Sequence, residues 1–247
     1  MTDQGTRIAM LALAAMLSTA LPAAAAETVS LPKGCKAFLT VQSLGCSVSS
    51  YWRCEATPPG TVWEARFDSD GAYSLSVYDK EFQWLDSQYF ADGTRESLLD
   101  PGPDPASLTD LLRGGRDDYA FVVRETGPDG AARDIVHQGY DELTGRKVVI
   151  DGTELLETEF ATTVVDAVSG EEVYSVTGRQ YVLEADRLFF LGPDRTSSEG
   201  ADFSNDFSPI RFIRPGEAGF AATTPRFGCE ASEPIAFRPG NLAEALQ

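Results

Sequence analysis

Turn sequences divide the middle of this chain into short, closely spaced runs of β-prone residues. Between Thr61 and Gly192, runs rich in Val, Tyr, Phe, Trp and Thr alternate with turns that contain Asp-Gly, Ser-Gly or Pro-Asp-Gly. Such turns are typical of tight hairpins, so consecutive runs are expected to pair as antiparallel strands. The predicted strands are 61–68, 72–80, 82–90, 118–126, 132–140, 146–150, 153–166, 171–183 and 187–192.

Apolar and polar residues alternate along several of these runs, as at Tyr73, Leu75 and Val77. This period of two is typical of a sheet with one face on a core and the other in water. The sequence therefore predicts a mainly β, single-domain antiparallel β-meander that forms a curved sheet or (half-)barrel. The domain is expected to span residues 27–247, with a loop-rich C-terminal segment over 193–247 in which only 210–213 is strand-like.

One short helix is expected to cover this sheet. Asp104 is the predicted N-cap and Pro105 the first helical residue, because Pro lacks the N–H that this position leaves unpaired. The helix is expected to end at Gly114-Gly115. Its apolar stripe consists of Leu108, Leu111 and Leu112.

Residues 143–150 (LTGRKVVI) and 176–183 (VTGRQYVL) form a short internal repeat at a spacing of 33 residues. A glycine inside a strand often marks a β-bulge, which bends the strand. Gly145 and Gly178 therefore predict bulges that help the sheet to curl. Chance similarity is the alternative, because only Thr-Gly-Arg and one Val are identical.

The first 26 residues have the pattern of a secretory signal peptide. Arg7 gives a positive start, residues 8–21 are mainly apolar, and Ala24-Ala25-Ala26 is a small-residue cleavage site. The alternative, a membrane anchor, needs about 20 apolar residues, and this run is shorter. The chain is therefore predicted to be exported to the periplasm and cleaved near Ala26, which leaves no membrane span.

Four cysteines in an exported chain predict two disulfides, for which three pairings exist. Residues 35–54 form two predicted strands that turn at Leu44-Gly45, which sets Cys35 opposite Cys54, Ala37 opposite Trp52 and Val41 opposite Val48. An extended segment from Cys46 to Cys54 spans about 26 Å at roughly 3.3 Å per residue, whereas a disulfide needs less than ~7 Å. The predicted disulfides are Cys35–Cys54 and Cys46–Cys229.

Charge and motifs exclude several classes of function. Residues 1–26 contain one acid and one base, so the exported chain keeps the formal charge of −18 and is not expected to bind nucleic acid. His137 is the only histidine, and no nucleophile elbow, zinc helix or phosphate-binding loop occurs. Neither a cofactor nor a metal is predicted. Two acidic groups occur, Asp117-Asp118 and Glu154 with Glu157 and Glu159. Asp117 and Asp118 are expected on opposite faces of a strand, whereas Glu157 and Glu159 share a face, which is interpreted as solvated.

Aromatic residues are concentrated between positions 51 and 90. They are expected to line an apolar pocket between the curved sheet and the helix, with a packed aromatic core as the alternative. The candidate ligand-binding residues are Trp52, Trp63, Trp84 and Tyr89. The sequence favours a non-enzymatic binding or carrier module for an apolar small molecule. The alternatives are a structural or interaction protein of the cell envelope that binds a protein partner and, third, an enzyme that uses carboxylates.

Overall fold

The computed structural model describes residues 27–198 and 200–229, and it contains one antiparallel sheet of 13 strands. Strands β1 to β12 each pair with the next strand in sequence, and β13 pairs with the free side of β1. The described sheet remains open between β12 and β13. The strands are β1 (Cys35–Ser43), β2 (Ser47–Cys54), β3 (Val62–Asp68), β4 (Gly71–Tyr78), β5 (Trp84–Tyr89), β6 (Arg95–Asp104), β7 (Arg116–Thr126), β8 (Ala132–Ile150), β9 (Thr153–Asp166), β10 (Glu172–Leu183), β11 (Leu188–Ser198), β12 (Ala201–Asp206) and β13 (Pro209–Ile213).

The sheet is rolled so that its later strands are covered on both faces. Leu183 packs in a cluster with Leu39 and Val41 of β1, whereas the neighbouring Val182 packs with Leu108 of the helix. Consecutive strand residues point to opposite faces, so β10 lies between the first strands on one side and the helix on the other. The predicted antiparallel meander, curled and covered by one short helix, is therefore confirmed.

The helix, α1 (Leu108–Gly114), begins later than predicted. Its N-cap is Ser107, whose side chain accepts a hydrogen bond from the Asp110 N–H, and the predicted N-cap Asp104 is instead the last residue of β6. The Asp-Pro sequence favoured a cap at residue 104, but Asp104 pairs with Ala120 of β7. Gly115 ends the helix in a left-handed conformation, as the sequence predicted.

Both glycines of the internal repeat mark bulges, as predicted. The register between β8 and β9 shifts between Leu143 and Lys147, around Gly145. The register between β10 and β11 shifts between Gly178 and Gln180. β8 continues through its bulge, so the two strands predicted at 132–140 and 146–150 form one element.

Both predicted disulfides, Cys35–Cys54 and Cys46–Cys229, are present. Cys35 pairs with Cys54 across the first hairpin, but Val41 pairs with Ser49 instead of Val48. The register shifts between Ala37 and Leu39, and this shift moves every later pair by one residue.

The polar segment 193–208, predicted as a loop, contains the end of β11 and all of β12. Polar side chains stabilise this hairpin in place of apolar packing. Arg195 forms an ion pair with Asp202, and the Asn205 side chain donates to Asp194. Residues 219–229, here called the C-terminal strap, then cross β1, where the Gln42 side chain bonds the backbone of Thr224 and Arg226.

The predicted signal peptide and the C-terminal end of the chain lie outside the described residues. Within residues 27–198 and 200–229, no helix is long and apolar enough to cross a membrane. The two disulfides are typical of proteins that fold in an oxidising, extracytoplasmic compartment.

Candidate binding site

One face of the first strands is lined by polar side chains although it is turned into the roll. We call this the inner face; it carries Tyr51, Glu64 and Ser76, which lie opposite one another on β2, β3 and β4. A sheet that packs on a core normally presents aliphatic residues there. The inner face instead presents buried serines on β2, β4 and β5: Ser49, Ser74, Ser76 and Ser87.

Glu64 and Arg66 form the first polar centre of the inner face. Glu64 is 4% exposed and accepts hydrogen bonds from the hydroxyls of Ser49 (2.7 Å), Tyr51 (2.9 Å) and Tyr78 (3.3 Å). Arg66 contacts the same carboxylate through Nη2 at 3.2 Å. Four donors therefore converge on one buried carboxylate.

The protonation states of this centre follow from these contacts. Burial alone would raise the pKa of Glu64, but Arg66 and the Ser49 and Tyr51 hydroxyls outweigh burial and lower that pKa. Burial and the Glu64 charge raise the pKa of Tyr51 and of Tyr78, so both phenols keep their protons. The centre thus contains an ionised acid–base pair surrounded by neutral donors.

Glu96 forms the second polar centre. It lies opposite Ser87, is buried, and accepts a hydrogen bond from the Tyr89 hydroxyl at 3.0 Å. Burial raises the pKa of Glu96 to about 7, although the Tyr89 hydrogen bond acts in the opposite direction. The nearby charge of Glu125 raises it further.

Aromatic rings connect the two centres and the opposite wall of the roll. Tyr73 meets Tyr89 edge to face at 6.1 Å between ring centroids. Phe82 stacks on Tyr78 at 4.2 Å, and Tyr51 meets Phe190 of β11 edge to face at 5.9 Å. The interior therefore combines hydroxyl groups, charged groups and aromatic rings on one continuous surface.

The structure divides the four sequence-predicted binding residues between the two faces. Trp84 and Tyr89 belong to the inner face, where the Trp84 Nε1–H donates to Ser87 at 2.7 Å. Trp52 and Trp63 lie opposite each other on the other face, with their rings stacked at 6.4 Å. The inner face thus brings together two of the four predicted residues and adds residues that the sequence did not single out: Ser49, Glu64, Arg66, Tyr78 and Glu96.

His137 is a buried strand residue between two rings. It stacks on Phe121 at 5.2 Å and meets Trp84 at 5.5 Å, and burial lowers its pKa to about 4. A neutral imidazole in this environment packs as an aromatic ring. No group of three or more His, Cys, Asp or Glu residues suitable for a metal ion occurs in the described part of the chain.

Each acidic group contains one buried residue, Asp117 in the first and Glu157 in the second. Asp117 and Asp118 point to opposite faces as predicted, but Asp117 is buried and accepts from the Ser107 N–H. Glu159 is exposed, whereas Glu157 is buried and paired with Arg146. Both buried acids therefore have structural partners.

Two open surface clefts lie away from the inner face. One, of about 400 Å³, runs over β8 to β11 near Tyr140 and Arg179. The other, of about 720 Å³, lies beside the Cys46–Cys229 disulfide and the β3–β4 turn. Neither cleft contains Trp84, Tyr89 or Arg66. The chemically distinctive surface is the lining of the roll.

Comparisons with protein-family models, with curated proteins and with solved structures give no match for this chain. Its function is therefore argued from the geometry of the inner face.

Proposed function

We propose that this chain is an exported, non-enzymatic binding or carrier module that holds a small molecule against the inner face of its rolled sheet. The observation that carries the proposal is the composition of that face, where serine hydroxyls and tyrosines line strands that would otherwise carry aliphatic residues. A few placed polar groups among aromatic rings are typical of small-molecule sites.

The lining also refines the kind of ligand. Phe82 and Trp84 offer ring surface to an apolar body, as the sequence suggested. Arg66 and the tyrosine hydroxyls offer hydrogen bonds to a polar group. An amphiphilic molecule with an apolar body and one polar end satisfies both.

The proposed location is the periplasm. The predicted signal peptide supports export, and the two disulfides support a compartment in which thiols oxidise. Export also suits a carrier, because cleavage near Ala26 would release the folded domain from the membrane.

Energy transfer from tryptophan to N-phenylnaphthylamine, an apolar fluorophore, tests the proposal. Trp84 lies on the inner face and Trp63 on the other face, so Trp84→Phe and Trp63→Phe are matched variants. We expect Trp84→Phe to weaken probe binding severalfold, because Trp84 offers ring surface to the apolar body, while Trp63→Phe binds the probe like the wild type. The opposite pattern would contradict the proposal. So would a chain that neither binds the probe nor retains a small molecule through a detergent-free purification.

A protein-binding role in the cell envelope is the second candidate, and the edge of the sheet favours it. Among the described strands, β12 pairs only with β11 and leaves one side without a partner strand. Such an edge can accept a strand from another protein. Native mass spectrometry of material recovered from envelope extract separates the two roles, because a carrier retains a small molecule and an adaptor retains a protein.

A further inference from the structure

Arg66 has hydrogen-bonding capacity that the described residues leave unused. Its side chain is 27% exposed, although it lies on the inner face opposite Ser49 and Ser74, both of which are buried. Only Nη2 makes a hydrogen bond, to Glu64. Nε and Nη1 make none within residues 27–198 and 200–229, and part of the side chain is accessible to solvent.

Three other arginines of the chain bind a carboxylate through two nitrogen atoms. Arg95 binds Asp86, Arg124 binds Asp134 and Arg133 binds Glu125, each through two nitrogen atoms. Two parallel N–H···O bonds are the strong geometry for an arginine and a carboxylate. Arg66 touches Glu64 at 3.2 Å through one nitrogen, as Arg195 touches Asp202, so its contact with Glu64 is not two-pronged.

Glu64 does not depend on Arg66 for its hydrogen bonds. The hydroxyls of Ser49, Tyr51 and Tyr78 already donate to its two oxygens. The open side of Arg66 therefore points to a second acceptor.

Resting on the proposed binding function, we infer that Arg66 is the anchor for an anionic end group of the ligand, a carboxylate or a phosphate. Nε–H or Nη1–H, which lie on opposite sides of the guanidinium, would donate to an oxygen of that group, while the apolar body lies along the aromatic rings. The formal charge of −18 repels anions at long range, so an anion that enters must be held by local donors such as these.

The test compares three ligands with the same apolar chain: dodecanoate, dodecyl phosphate and the neutral dodecanol. Their affinities are measured by displacement of N-phenylnaphthylamine from the full chain. We expect at least one anion to bind about tenfold or more tightly than dodecanol, and the stronger of the two identifies the end group. Arg66→Gln should reduce the anion affinity to that of dodecanol and leave the dodecanol affinity unchanged.

Three further variants control this result. Arg66→Lys keeps the charge but replaces the planar, fixed N–H donors with a flexible ammonium, so it should recover only part of the anion preference. Arg95→Gln removes a surface arginine and should have no effect. Glu64→Gln combined with Arg66→Gln removes both charges and replaces the single variant if Arg66→Gln alone fails to fold.

The outcomes separate the inference from the proposed function. If all three ligands bind equally and the Arg66 variants bind like the wild type, the inference is wrong and the binding function stands. If no ligand displaces the probe and the probe itself does not bind inside the roll, both are wrong.

Discussion

Buried acids on the inner face are in opposite states because their immediate partners differ. Glu64 has a cation and three hydroxyls within hydrogen-bonding distance, and its pKa falls. Glu96 has one phenol, Tyr89, and the nearby charge of Glu125, and its pKa rises to about 7. The same burial therefore yields an ionised acid in one place and a protonated one a few strands away. The effect of replacing Glu64 on the free energy of unfolding should therefore depend on pH differently from the effect of replacing Glu96.

The Glu96 variant gives a prediction whose sign follows from proton binding. In the folded chain Glu96 keeps its proton up to about pH 7, whereas the ordinary pKa is 4.5, so the folded state binds more protons between these values. The contribution of this group to the free energy of unfolding is full below about pH 4.5 and is lost as the pH rises to about 7. Glu96→Gln should therefore be more stable than wild type at pH 8, by on the order of 3 kcal/mol, and about equal near pH 4.5.

Urea unfolding at pH 4.5, 6 and 8 measures this effect. The conservative amide can still accept the Tyr89 hydrogen bond, so the comparison isolates ionisation. Glu159→Gln, at an exposed position, is the control and should show no pH-dependent difference. A Glu96→Gln difference that is constant across the three pH values would contradict the prediction.

Strand 3 shows which part of the fold its sequence predicts and which part it does not. The alternation of Trp63, Glu64, Ala65, Arg66 and Phe67 correctly indicates a strand with two distinct faces. The usual assignment turns the aromatic residues inward and the charges outward. The structure has the reverse, because tyrosine and serine hydroxyls from β2 and β4 stabilise the charges inside the roll. Those partners come from other strands, so the local pattern carries no information about them.

The same limit applies to other elements. Hairpins, glycine bulges and the Cys35–Cys54 disulfide depend on local spacing, and the sequence predicted them. Cys46–Cys229 was predicted by elimination, because no other cysteines remained. β6 was not predicted, and its sequence contains Pro101, Gly102 and Pro103; β12 was not predicted because its residues are polar. Pairing with a neighbouring strand decides both. Trp84 and Tyr89 were recognisable as binding candidates from ring density, whereas Arg66 became one only through its position inside the roll.

Contact between the β8–β9 turn and β13 gives a prediction at the scale of elements. Asp151 has a φ of 48° and accepts hydrogen bonds from the Phe212 N–H (3.0 Å) and from Arg211 Nε (3.2 Å). Asp151→Gly tolerates the same backbone conformation but removes the acceptor. The Phe212 amide should then exchange about fivefold faster, since an amide hydrogen bond contributes about 1 kcal/mol.

Hydrogen exchange resolved at single amides checks this effect. Asp129→Gly is the matched control, because Asp129 accepts from the Ala131 N–H in the β7–β8 turn. Unchanged exchange at Phe212 in Asp151→Gly, or equal acceleration in the control, would show that the turn does not stabilise β13.

At the scale of the whole molecule, the two disulfides connect different parts of the chain. Cys35–Cys54 joins neighbouring residues of one hairpin, 19 positions apart, whereas Cys46–Cys229 spans 183 positions and fixes the C-terminal strap to the first hairpin. The strap has further bonds to β1, from the Ala221 N–H to Thr40 and between Gln42 and the backbone of Arg226. The long-range disulfide therefore closes the chain around the first strands of the roll.

Two double variants, each replacing the cysteines of one disulfide with serine, distinguish the contributions of the two disulfides. Chain-entropy arguments give a stabilisation of about 5 kcal/mol for the long loop and about 3 kcal/mol for the short one, so Cys46→Ser with Cys229→Ser should be the more destabilising pair in urea unfolding. Only that pair should accelerate exchange at the Ala221 and Arg226 amides, because only it releases the strap. Equal losses with a protected strap would mean that the bonds to Thr40 and Gln42 hold it alone. If exchange becomes faster only in the Cys46–Cys229 variant, binding of the C-terminal strap to β1 depends on oxidation. It then also depends on the compartment in which the chain folds.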